Sequence, residues 1–302
     1  MADLLVVGSV ALDSVSTPFG KAREVLGGSA TYFSYAASFF TNVRLVATVG
    51  EDFPAEHIAL LKDRGIDTTG LQVSRGRTFR WVGEYGYDLN EAKTLDTQLN
   101  VFADFKPMLP GALKKSPFLF LANIAPELQL DVLRQMDRPL LAALDTMNFW
   151  IQGKREALLR VLSEVDVLLI NESEARQLAR EPNLIKAARA VLKLGPRTVV
   201  VKRGEYGAVM VSNGHFFFVP AYPLESVFDP TGAGDTFAGG FMGYIAAQGV
   251  VDQPTVRRAI VYGSVMASFT VEDFSLNRLK TLQPDEVERR YAAFQDLVRF
   301  DI

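Results

Sequence analysis

The run Asp229-Pro230-Thr231-Gly232-Ala233-Gly234-Asp235-Thr236-Phe237 decides how this chain is read. Two glycines let the backbone turn tightly and come close to a ligand. Residues 236–247 are apolar and rich in small side chains, which suits a buried helix. Free amides at the start of such a helix, together with its dipole, favour an anion. Asp235 stands where that anion would sit, so a plain phosphate cradle does not account for it. A carboxylate there makes sense if it takes a proton from a hydroxyl while the amides of Gly232, Ala233, Gly234 and Asp235 hold a phosphoryl group. The competing reading is a glycine turn before a core helix, with Asp235 as a cap. An aspartate at each end of the run and a small-residue helix behind it favour the phosphate reading.

Commoner phosphate motifs do not fit. The sequence has no GxxxxGK[ST] loop, and Phe237 stands at the third glycine position of a GxGxxG. A dinucleotide fingerprint also opens a first βαβ unit, whereas this run lies late in the chain.

Working outward, the order of elements is α/β. Residues 4–10, 43–49, 118–121, 140–144, 165–170 and 198–202 read as strands. Ala30, Phe33, Ala37 and Phe40 recur at helical spacing, and a helix is framed by Pro54 and Gly65. Apolar strands alternating with helices predict a mainly parallel sheet covered on both faces. Residues 76–102 break the rhythm. Thr78, Phe79, Trp81, Val82, Tyr85 and Tyr87 alternate with polar residues there, the pattern of a β-rich insertion without a covering helix.

The Asp229–Phe237 run resembles the C-terminal signature of the ribokinase-like, or PfkB, family of carbohydrate and nucleoside kinases. The resemblance covers nearly the whole chain. Val6-Val7-Gly8-Ser9-Val10-Ala11-Leu12-Asp13 resembles the family's opening strand and substrate aspartate, and Gly27-Gly28-Ser29-Ala30 its diglycine turn. Asn171-Glu172-Ser173-Glu174 matches its NxxE motif, and Val200-Val201-Lys202-Arg203-Gly204 the strand and turn flanking the nucleotide. The resemblance implies a single kinase domain over residues 1–302. It also makes residues 76–102, with part of 11–26, a lid that often pairs with a second subunit; an antiparallel extension of the main sheet is the alternative.

Phosphoryl transfer needs an aligned nucleophile, neutralised phosphate charge and exclusion of water. Asp235 is the candidate base. The resemblance implies ATP and Mg²⁺, with the nucleotide against Asn171, Lys202, Gly204, Thr231 and Ser264, and the metal supported by Asn171 and Glu174. Read from the residues alone, Asn171 and Glu174 are equally a helix capping box. Lys202 is either a phosphate contact or a solvated strand end, and Ser264 lies in a small-residue helix that suits close packing. Many relatives bind K⁺ near the equivalents of Asp229 and Thr231, and the acidic Glu272-Asp273-Phe274-Ser275 stretch here suits a hard cation.

On the acceptor side Asp13 is placed to hold two hydroxyls, and Gly27 and Gly28 to bring amides to the ligand. Asn123 and Asp145 end strands, where open α/β sheets bind ligands. Ribose-specific members carry asparagine two residues before the aspartate and a lysine after the diglycine; this chain has Ala11 and Ser29. Tyr32, Phe33, Phe79 and Trp81 offer surfaces for a base. The expected activity is ATP-dependent phosphorylation of a small sugar, with a nucleoside kinase as the alternative and a non-catalytic sugar- or nucleotide-binding regulator behind both.

Composition agrees. The 302 residues carry a formal net charge of −3 and no cysteine, which removes disulfides, thiol nucleophiles and cysteine-bound metals. Lys/Arg stretches are too short for a nucleic-acid footprint. No apolar run approaches a membrane span and the first residues lack a signal-peptide pattern, so no membrane partner and a cytoplasmic location are expected.

Overall fold

The computed structural model describes residues 2–299. The strands are β1 (Asp3–Val7), β2 (Ala11–Thr17), β3 (Gly20–Gly27), β4 (Asn42–Gly50), β5 (Asp67–Ser74), β6 (Arg80–Tyr85), β7 (Ala92–Gln98), β8 (Phe118–Leu121), β9 (Leu141–Asp145), β10 (Val167–Asn171), β11 (Thr198–Lys202), β12 (Ala208–Ser212) and β13 (His215–Val219). Nine of them form one sheet in the order β13-β12-β11-β10-β9-β8-β1-β4-β5. Every pair from β5 to β11 is parallel, and the pairs β11–β12 and β12–β13 are antiparallel. Side chains alternate across each strand. Leu4 and Val6 therefore enter one core, and Leu5 and Val7 a second core on the other face.

The first core is closed by the helices Ser29–Ala37, Ala233–Gln248 and Gln253–Thr270. Phe33 stacks on Phe120 at 4.1 Å between ring centres. The small residues of the second helix are a packing requirement. A Cβ on Gly240 would lie 2.8 Å from the Tyr262 carbonyl oxygen, and one on Gly243 3.0 Å from Ala37 Cα. Among the described residues no helix is long and apolar enough to cross a membrane.

A second sheet, β3-β2-β6-β7, stands apart. Two hairpins, β2–β3 and β6–β7, join through the parallel pair β2–β6. The β-rich reading of residues 76–102 holds, but the opening strand is shorter than expected. It ends at Val7, and the apolar run continues because Val10, Ala11 and Leu12 are buried in the handover to the second sheet. Hydrophobicity alone does not mark that handover. The parallel strands share one direction, so Asp145, Asn171 and Lys202 end neighbouring strands on the same edge of the main sheet, and Asn123 lies just past the end of β8.

Candidate active site

Gly232 begins the helix Ala233–Gln248 with φ of 75°, in the left-handed region. The Tyr32 ring lies against its Cα and leaves no room for a side chain. The Ala233 amide donates to the Pro230 carbonyl at 3.1 Å, closing the turn. That removes Ala233 from the expected set of anion donors. The amides of Gly232, Gly234 and Asp235 find no protein acceptor among the described residues, so three free amides at the positive end of the helix dipole form the candidate anion cradle.

Asp235 is the third residue of this helix, not its cap. Burial, with the nearby Asp145 charge, raises its pKa to about 7, against the pull of Lys202. Lys202 Nζ would lie 3.0 Å from a Cβ on Gly234 and pairs with Asp145 Oδ2 at 2.6 Å. Burial opposes its charge, but Asp145 outweighs this and the lysine pKa is raised. Asp145 Oδ1 accepts the Thr146 amide at 2.8 Å. A lysine so placed is no solvated strand end; it is a fixed positive charge beside the cradle.

Asn171 ends β10 and caps the helix Glu172–Ala179, its Oδ1 accepting the Glu174 amide at 2.8 Å and the Ser173 hydroxyl at 3.0 Å. Glu174 Oε2 accepts the Asn171 amide at 3.0 Å in return. The capping box thus forms in full. Asn171 Oδ1 already accepts two hydrogen bonds and so holds Glu174 in place. Glu174 keeps its second oxygen without a hydrogen bond and has a pKa raised to about 7, by burial first and Asp145 second. Ser264 is buried in the wall of the helix Gln253–Thr270. Arg203 is tied to Glu172 at 2.6 Å, which holds the turn at Gly204.

Across the cleft, Asp13 lies against Gly27, where no Cβ fits, and accepts the Gly28 amide at 3.3 Å. Gly28 has φ of 92° and starts the helix Ser29–Ala37, with its Cα pressed on the Ser9 backbone. Burial raises the Asp13 pKa to about 7; Gly28 lowers it, and Asp229 and Asp235 raise it further. The acceptor aspartate and the candidate base therefore share one cleft. Asp13 pairs with Trp81 and Val15 with Gly83, so Asp13, Trp81, Gly83 and Tyr85 share the inner face of the small sheet. The six-membered ring of Trp81 lies over Gly83, and its Nε1 donates to Thr94 Oγ1 at 3.2 Å. The Tyr85 hydroxyl accepts from Thr231 Oγ1 at 3.4 Å.

Both hairpin tips reach the opposite wall. Thr17 Oγ1 donates to the Phe228 carbonyl at 2.9 Å, and Phe19 meets Phe228 edge-on at 6.3 Å. The Asn90 carboxamide lies on Gly204. Two expected acceptor contacts are placed differently. Tyr32 is 1% exposed, its ring filling the space below Gly232, so it presents no face for stacking. Asn123 Oδ1 accepts Trp150 Nε1 at 2.9 Å and its amide meets Met147 Sδ at 3.1 Å, committing it to the helix Asn148–Gly153. Tyr85 was not singled out by sequence, although the alternation within β6 puts it on the face of Trp81.

Among the described residues no three His, Cys, Asp or Glu side chains form a metal cluster. In the acidic stretch after the helix Gln253–Thr270, Glu272 pairs with Arg278 at 2.8 Å and Arg290 at 2.7 Å. Asp229 Oδ1 accepts the Thr231 amide at 2.9 Å, while its buried Oδ2 makes no hydrogen bond. Burial raises the Asp229 pKa, although Thr231 and the Ser275 amide lower it.

The family model described as pfkB family carbohydrate kinase matches residues 1–281. The cytidine kinase of Thermococcus kodakarensis is 31% identical over 250 residues, 80% of this chain and 88% of its own. The nucleoside kinase of Methanothermobacter thermautotrophicus is 27% identical over 90% of each chain. Among solved structures, a putative ribokinase II from E. coli in complex with ATP and Mg²⁺ superimposes with a TM-score of 0.80 at 19% identity, over 97% of this chain and 100% of that one. The chain belongs to the pfkB family of carbohydrate kinases and is an ATP-dependent kinase of small hydroxylated molecules.

Proposed function

We propose that this kinase phosphorylates a ribosyl hydroxyl of a nucleoside, with Asp235 as base. The observation that carries the chemistry is the placement of the partly buried Asp235 near both the Lys202–Asp145 pair and Asp13. The acceptor oxygen attacks the γ-phosphorus, the new O–P bond forms, and the bridging P–O bond breaks with its electron pair leaving on ADP. The acceptor proton passes to Asp235, whose raised pKa makes it a stronger base than an ordinary carboxylate. The Gly232, Gly234 and Asp235 amides and Lys202 stabilise the charge on the phosphoryl oxygens. The free Glu174 oxygen is the hard donor suited to the divalent metal that neutralises the nucleotide's phosphates, with Asn171 positioning it.

Residues 1–302 act as one kinase domain in which the small sheet is the lid. The nucleoside reading rests on Trp81. Its six-membered ring lies over Gly83 on the face of the small sheet that carries Asp13, which suits a base stacking on it while ribose hydroxyls meet Asp13. The similarity to a cytidine kinase and a nucleoside kinase supports the same acceptor. Asp229 Oδ2 and nearby carbonyls form a K⁺ site from which Glu272 is excluded; equal rates in K⁺ and in tetramethylammonium at matched ionic strength would remove it. Coupled ADP-release assays over nucleosides and free sugars test the acceptor. Turnover of nucleosides is expected. Turnover of free sugars alone overturns the acceptor assignment, and none on either class overturns the reaction.

A further inference from the structure

The Tyr85 phenol has one hydrogen-bond partner, and that contact leaves its own proton free. Its oxygen accepts from Thr231 Oγ1 at 3.4 Å, three positions before Gly234 of the anion cradle, with Gly232 and Ala233 between. No acceptor for the Tyr85 O–H is found among the described residues, although Asp229, Asp13 and Asp235 are all close enough to raise its pKa, with burial first, to about 12. The phenol is therefore neutral and a donor throughout the working pH range. The side chain comes from the lid, the cradle from the core of the domain, and they meet only because the lid is anchored on both flanks. One anchor is Thr17 on Phe228, immediately before the loop; the other is Asn90 on Gly204, two residues past Lys202.

We propose that Tyr85 is a further catalytic residue, donating its phenolic hydrogen bond to an oxygen of the phosphoryl group in transit. It rests on the kinase reading above. Negative charge spreads over the three phosphoryl oxygens as the group moves from ADP to the acceptor. The three amides and Lys202 approach from the domain side. Tyr85 supplies a donor from the acceptor side, present only with the lid down. Transfer is thereby tied to lid closure, and the closed lid excludes water as a competing acceptor.

Tyr85→Phe removes the donor and keeps the ring that packs in the lid. The expected result is a fall in kcat of about tenfold, with KM for ATP and acceptor within about twofold. Calorimetric titration gives a second readout. The variant should bind ADP alone and acceptor alone as the parent does. The ternary complex with ADP, aluminium fluoride and acceptor, which mimics the planar phosphoryl group, should weaken by a similar factor. Unchanged kcat in Tyr85→Phe overturns the proposal and leaves the ring as lid packing. A rise confined to the acceptor KM also overturns it, because the phenol would then touch only the bound acceptor. Failure of the parent enzyme to phosphorylate any nucleoside or sugar is a different result and strikes the reaction itself.

Discussion

Asp235 illustrates how function and stability pull against each other at one residue. Its folded pKa, about 7, lies above the ordinary 3.8 because burial disfavours the charged form. The folded state thus holds this proton more tightly than the unfolded one. The favourable contribution is complete below about pH 4 and is lost as pH rises through about 7. Asp235→Asn keeps the shape and removes the titration. At pH 8 the variant should melt a few degrees above the parent, and at pH 4 the two should melt together; matching Tm values at pH 8 would contradict the burial account. The same variant should lose at least ~10²-fold in kcat with little change in ATP affinity. For the parent, kcat/KM should climb with pH and level off above about 7, the limb being set by the free enzyme's base. A flat profile from pH 5 to 8 would remove Asp235 from that role. Lys202 tests the opposite sign. Lys202→Met leaves the buried Asp145 carboxylate unpaired, a loss of the order of 3–5 kcal/mol where such a pair is broken, so both stability and kcat should fall.

Elements show which of these contacts sequence could reveal. The capping box of Asn171 and Glu174 was legible because it is local, three residues apart on one helical turn. Its consequence for the metal is testable. Glu174→Gln keeps the hydrogen bond to the Asn171 amide and removes the charge, so the Mg²⁺ concentration for half-maximal rate should rise; an unchanged titration would leave the pair as a helix cap alone. Six of the nine strands of the main sheet were legible as apolar runs, whereas β5, β12 and β13 were not, and the turn into the helix Ala233–Gln248 was legible as a glycine pattern. What sequence did not show depends on distant partners. Tyr32 reads as an aromatic near the substrate turn, yet it fills the space that the missing Cβ of Gly232 leaves, two hundred positions on. Glu272 reads as part of an acidic cation loop, but Arg278 and Arg290 come from further along the chain to neutralise it. Ala233 reads as one amide of four, and only the turn geometry commits it to Pro230. Tyr85 meets Thr231 across 146 residues, so only the folded sheet brings them together.

At the scale of the whole molecule, the proposed lid role makes predictions for both the acceptor and the assembly. For a nucleoside, Trp81→Ala should raise the acceptor KM tenfold or more, since base stacking is worth ~1–3 kcal/mol. For a free sugar, Asp13→Ala should dominate instead, because ligand hydroxyls lose a charged partner. KM values for the two variants decide between them; Tyr32→Ala is no substitute, as it would collapse the floor of the anion cradle. The prediction for assembly rests on β7, one of the two edge strands of the small sheet, in which every residue from Ala92 to Gln98 is exposed. An open edge of this length invites pairing with another chain. Lys93 and Asp96 place charge along it, and Leu95 bulges out of register between Thr94 and Asp96. These features interrupt open-ended strand addition. They leave room for a closed two-fold contact in which the same edge meets itself and the exposed Leu95 is covered. Sedimentation of the full chain at micromolar concentration should therefore give a dimer and no larger species. Leu95→Lys puts a charge at the centre of that contact and should shift the protein to monomer while the melting curve of the domain stays intact. A parent that sediments as a monomer at tens of micromolar, or a Leu95→Lys variant that remains dimeric, would show that the lid edge faces solvent in the working enzyme.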